Sequence, residues 1–150
     1  MTRTPPLAWL YRLDRHQQAE LLAKPHAYLP ATVAHRITGQ TNLDPRDCTA
    51  RPPRRQLRPE QANLLEEERL RLDDWWSALP AATRADLLRT RHTAVPERHR
   101  SAVLAMTPGE HHASRTDAAN PHRVSGIVAA YLEMVHHHRR PADGTAAASP

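Results

Sequence analysis

Residues 59–78 read Pro-Glu-Gln-Ala-Asn-Leu-Leu-Glu-Glu-Glu-Arg-Leu-Arg-Leu-Asp-Asp-Trp-Trp-Ser-Ala. Proline suits the first turn of a helix, and the early glutamates favour the positive end of its dipole. With Leu64 at zero and a step of about 100° per residue, Trp75 falls near ~20°, Leu79 near ~60°, Leu72 near ~80°, Leu65 near ~100° and Trp76 near ~120°. These six residues make one apolar stripe about 120° wide, the mark of a core-facing helix. Leu70 lies outside it. Glu68 lies inside it; either it pairs with an Arg of another helix or the stripe faces solvent in that turn, and the second is expected because buried carboxylates are rare.

Downstream the same kind of signal recurs. Leu79-Pro80 breaks the chain direction and opens a helix to about Arg91, in which Ala81, Ala85 and Leu88 share one face and Arg84 and Arg91 another. Pro96-Glu97 opens a further helix to about Met106, closed by Thr107-Pro-Gly109. Asn120 and Pro121 suit an N-cap and a first helical position. Val124, Ile127, Val128, Tyr131, Leu132 and Val135 then follow at steps of three and four. No run of four or more residues alternates as a strand does.

Upstream the signals weaken. A helix is expected from about Asp14 to Ala23, ended by Lys24-Pro25 because proline disfavours helical geometry in the residue before it. A second covers Ala31 to Thr38, with Gly39 as a natural stop. Between Thr41 and Arg58 the chain carries Arg51-Pro-Pro-Arg-Arg-Gln-Leu-Arg58, where proline removes backbone donors and the arginines repel one another. That stretch reads as an extended linker, and 141–150 as a disordered tail.

The expected fold is therefore all-α. A small bundle of about four helices over residues 59–139 forms around Leu65, Leu72, Trp75, Trp76, Leu88, Val103, Ile127, Tyr131 and Val135. One or two short helices in residues 1–40 precede it, and a Pro/Arg-rich linker at 41–58 and a tail after 140 flank it. Composition agrees. Apolar residues make up 39% of 150, enough for a modest core, while 14 prolines and the absence of Phe leave the flanks poor in core material.

Charge and cysteine narrow the function classes. The chain carries +5 with histidine neutral. Residues 1–58 hold 10 basic and 4 acidic side chains, so the excess sits at the N-terminal end, a pattern that suits nucleic acid or an acidic partner. Cys48 is the one cysteine, so no intrachain disulfide framework exists. No apolar run approaches the roughly 20 residues of a membrane helix, and the five residues Leu7–Tyr11 are shorter than a secretory core. The chain reads as cytoplasmic, with no membrane partner.

Catalytic and metal constellations are not expected. Of eleven histidines no two stand three or four apart, so none pairs with another on a helix face for zinc. His136, His137 and His138 point in different directions and complement the C-terminal end of a helix dipole. No serine sits in a nucleophile elbow, and four scattered glycines make no phosphate loop. No cofactor is expected, and no enzymatic activity.

Binding remains. The helix after Pro80, a short turn and the helix after Pro96 have helix-turn-helix proportions. The first residues of the second helix, which in such units reach base edges, include Arg98 and Arg100. From Arg84 to Arg100 five arginines face two acids, a local +3. Arg51, Arg54 and Arg55 offer sequence-independent phosphate contacts. DNA is the leading partner on this reading. The reading from another class is a protein-interaction adaptor, in which Trp75 and Trp76, about 100° apart, place one indole at the edge of the core as an interface anchor.

Overall fold

The computed structural model describes residues 7–43, 54–106, 123–124 and 126–138. Among these the chain forms six helices and one small two-stranded sheet, in the order α1 (Arg15–Ala23), α2 (Ala31–Arg36), β1 (Thr41–Leu43), β2 (Arg55–Leu57), α3 (Pro59–Ala78), α4 (Ala81–Arg89), α5 (Glu97–Leu104) and α6 (Gly126–His138). Short 3-10 turns cover Ala8–Arg12 and Thr38–Gln40. The protein is all-α, as its periodicity implies. Its contacts divide it into two compact units, 1–79 and 80–150. The long helix α3 thus belongs with the first unit, and α4, α5 and α6 form the second.

In the first unit α1 begins with a reciprocal capping box: the Gln17 amide donates to Asp14 Oδ1 at 2.8 Å, and the Asp14 amide donates to Gln17 Oε1 at 3.3 Å. It ends at Lys24, before Pro25, as expected. Leu10, Leu13, Leu21 and Leu22 are all buried, and α1 packs along α3. The indole Nε1–H of Trp9 donates to Gln61 Oε1 at 2.8 Å, and Arg69 Nη1 donates to the Ala23 carbonyl at 3.3 Å. Residues 7–43 are therefore docked on α3 rather than loosely attached.

Helix α3 begins at Pro59 and ends at Ala78, the bounds its sequence implies. Its buried residues are Ala62, Leu65, Leu72 and Trp76. They centre the stripe near about 110° on the scale used above, which leaves Leu64 and Trp75 half-buried at its edge. Leu70 is exposed. Glu68 is half-buried, and its carboxylate accepts from Arg71 Nη2 at 2.7 Å, three residues along the same helix.

Three expectations about where elements begin and end need correction. The stretch 41–58 is structured at both ends: β1 and β2 pair antiparallel, Thr41 opposite Leu57 and Leu43 opposite Arg55. The Leu29 amide also donates to the Arg55 carbonyl at 2.8 Å and the Arg58 amide to the Gln40 carbonyl at 2.9 Å, which ties β2 and the residue after it to the chain before β1. Second, α2 stops at Arg36, and Gly39 lies inside a 3-10 turn rather than in a left-handed cap. Third, Arg123 and Val124 are not helical. Arg123 forms an isolated antiparallel bridge with Ala94, and α6 starts at Gly126, whose φ of 66° lies in the left-handed region. Asn120, Pro121 and the tail lie outside the described residues.

In the second unit α6 is buried from Ile127 through Val135 without a break. Apart from Glu133 these residues are apolar on every side of the helix, so this element is more enclosed than a one-faced amphipathic helix. Each large side chain taken fully out of water there contributes roughly 1.5–3 kcal/mol. The face of α4 also differs from its expected phase. Leu87 is 0% exposed, Leu88 is half-buried, and Ala81 and Ala85 are exposed. Arg84 and Arg91 are each half-buried, with the Nε of both out of water. No helix among the described residues is long and apolar enough to cross a membrane.

Candidate nucleic-acid interface

Helices α4 and α5 form a hairpin, and Pro80 and Pro96 stand as the residues before each. One carboxylate ties the pair together. Asp86 Oδ2 accepts from Arg98 Nη2 at 2.6 Å and lies 3.0 Å from His99 Nε2, while Asp86 Oδ1 accepts from Arg89 Nη2 at 2.6 Å. The hydrogen bonds from Arg98 and His99, then the charges of Arg98 and Arg89, hold the Asp86 carboxyl down at about 2 against the cost of its burial. It is an anion at neutral pH. His99 Nε2 therefore faces it best as a donor; in the other tautomer the same atom accepts from Arg98 Nε at 3.1 Å.

This geometry gives Arg98 two roles. One nitrogen is committed to Asp86, yet the side chain keeps 64% of its surface, and Arg89 keeps 70%. Two guanidiniums thus converge on one carboxylate at the surface of the hairpin, with a net positive charge between them. Arg100 is more enclosed, its Nε donating to the Val95 carbonyl at 3.4 Å. His99 is buried beneath them.

The other proposed contact residues lie in the first unit. Arg55 is half-buried in β2. The Arg54 guanidinium sits over the Tyr28 ring, 5.3 Å from its centroid. Arg51 lies outside the described residues. Of the tryptophan pair, Trp76 is 5% exposed and Trp75 half-buried, with ring centroids 6.0 Å apart.

A second polar centre went unread in the sequence. Glu133 stands between Leu132 and Met134 on α6, its side chain 9% exposed. His137 Nε2 donates to its Oε1 at 2.7 Å. Its Oε2 accepts no well-formed hydrogen bond but has His92 Nε2 at 3.2 Å and Arg91 Nε at 3.5 Å. Burial pushes this carboxyl up; the His137 hydrogen bond and the charges of His92, Arg91 and His137 outweigh it and hold it below the ordinary glutamate range. The signal was present: a single acid inside an apolar helix, four residues before a histidine. Arg91 and His92, just after α4, thus meet the carboxylate of α6; among the described residues no group of three or more His, Cys, Asp or Glu is placed to hold a metal ion. No protein-family model, curated protein or solved structure matches the chain.

Proposed function

We propose that this chain is a cytoplasmic regulatory or accessory protein that acts by binding rather than by catalysis, and that the α4–α5 hairpin engages DNA through its phosphates. The observation that carries this reading is the pair of mostly exposed guanidiniums, Arg89 and Arg98, held 2.6 Å from one carboxylate on adjacent helices. A guanidinium fixed by an internal partner loses less freedom when it meets a phosphate, and its remaining N–H groups still point to water. Arg100 adds charge on α5, and Arg51, Arg54 and Arg55 extend the positive balance of the first unit. Contacts of this kind position a duplex without reading its sequence.

The test is fluorescence anisotropy of a labelled random duplex in low salt, titrated with the full chain. The expected outcome is saturable binding that weakens when Arg89 and Arg98 are both replaced by Ala. Binding unchanged by that pair of substitutions moves the interface away from the hairpin. A second reading draws on the split of the tryptophans. With Trp76 inside and Trp75 at the edge, the α3 face suits a protein partner anchored on an indole. Absence of duplex binding, together with loss of a captured partner on Trp75→Ala, favours that adaptor.

A further inference from the structure

The first unit contains a cleft of about 480 Å³ between α1 and the segment leading into α2. That volume is of the order of a small-molecule site, which runs about 300–1,000 Å³. Leu21, Ala27, Leu29 and Val33 supply an apolar lining, and Leu21 and Val33 are themselves buried. The polar groups come from α1 and its end: His16 and Glu20 stand four residues apart on one side of the helix, and Lys24, its C-cap, also lines the cleft. Tyr28 closes the lining, and the Arg54 guanidinium lies over its ring.

The charges are unequal. Among the described residues, Lys24 lines the cleft and Arg54 lies beside it over Tyr28, against the carboxylate of Glu20 in the lining. Lys24 is exposed. An apolar lining with a cationic edge selects a ligand of matching form. We propose that this cleft binds a small organic anion, with a ring or branched apolar body against Leu21, Leu29 and Val33 and a carboxylate or sulfonate toward Lys24 and Arg54. The apolar body supplies most of the affinity through burial, and the charges supply orientation and preference for an anion. The assignment does not rest on DNA binding, since it concerns other residues.

Two fluorescent probes that differ in one group test it. Anilinonaphthalene sulfonate carries the anion; N-phenyl-1-naphthylamine has the same rings without it. On the full chain, the sulfonate is expected to bind at one saturable site and more tightly than the neutral probe. Lys24→Glu, at an exposed position that folding tolerates, is expected to weaken the sulfonate by roughly tenfold and leave the neutral probe nearly unchanged. Val33→Trp, which fills the cleft, is expected to weaken both, with circular dichroism confirming retained helix; Arg54→Gln serves as a second charge variant should Val33→Trp fail to fold. Equal affinity for both probes, or sulfonate binding untouched by Lys24→Glu and Arg54→Gln, overturns the proposal, as does the absence of a saturable site.

Discussion

Asp86 and Arg98 stand twelve residues apart in sequence and 2.6 Å apart in space, joining α4 to α5 through a single carboxylate. The same arginine that fastens the hairpin presents most of its surface to water. Structure and proposed binding therefore share one side chain, and substitutions at its partner separate the two.

Asp86→Asn removes a negative charge from between Arg89 and Arg98 while keeping the side-chain shape. Its expected effect is tighter binding to random duplex at low salt, by roughly two- to tenfold, with a lower thermal midpoint for the chain. Anisotropy and circular dichroism on the same preparation measure both. Weaker duplex binding by a folded Asp86→Asn variant counts against the hairpin as the interface.

Asp86 also makes stability depend on pH. Its folded value of about 2 lies below the ordinary aspartate value of about 3.9. A carboxyl depressed on folding contributes stability that is complete above the unfolded value and disappears as pH falls through the folded one. Glu133, also held low, acts in the same direction. Thermal midpoints followed from pH 6 down to pH 2 are expected to fall most steeply below about pH 4, and less steeply in Asp86→Asn. Parallel profiles for the two proteins contradict the shared carboxylate.

The Glu133 centre is expected to respond differently to one and to two substitutions. Arg91→Met removes the guanidinium that faces a carboxylate nine-tenths buried, and is expected to cost about 1–3 kcal/mol by urea unfolding. Adding Glu133→Leu replaces the remaining buried charge with an apolar side chain on an otherwise apolar helix, and is expected to restore most of the loss. His92 and His137, each about half exposed, remain hydrated. A double variant less stable than Arg91→Met indicates that Glu133 holds α6 through groups other than Arg91.

The three tryptophans divide by exposure, Trp9 and Trp76 buried and Trp75 half-buried. Iodide quenching in the native state is expected to reach chiefly Trp75, so Trp75→Phe removes most of the quenchable emission. Trp76→Ala is expected to destabilise the fold by roughly 3–5 kcal/mol, and Trp75→Ala by much less. Equal quenching of all three indoles contradicts the placement of the α3 stripe.

Much of the helical architecture was legible because its signals are local and strong. Pro59 marks the start of α3 and the stripe of Leu64, Leu65, Leu72, Trp75, Trp76 and Leu79 its buried side, and Lys24-Pro25 ends α1. The phase of α4 was not legible from alanines. Ala81, Ala85 and Leu88 share a face, but Leu87, a large side chain, took the core, and Arg84 and Arg91 are half-buried. Strands β1 and β2 have three residues each and pair across intervening sequence, too short for any alternation to register. Within the candidate interface, Arg98 and Arg100 were found by position in the hairpin, but the partner that fixes Arg98 was not. Asp86 reads in sequence as one more surface acid, and only the fold brings it to α5. At Glu133 the i,i+4 spacing to His137 is legible in the sequence, but Arg91 and His92 come from the turn after α4 and meet the carboxylate only in the fold.

The most direct measurement of the central claim is duplex affinity across a salt series for the full chain and for its Arg89→Ala/Arg98→Ala variant. If the hairpin neutralises phosphates, the logarithm of the binding constant falls linearly with the logarithm of salt, and the variant's slope is shallower by about one for each phosphate contact removed. No binding at low salt, or the same slope in both proteins, contradicts it.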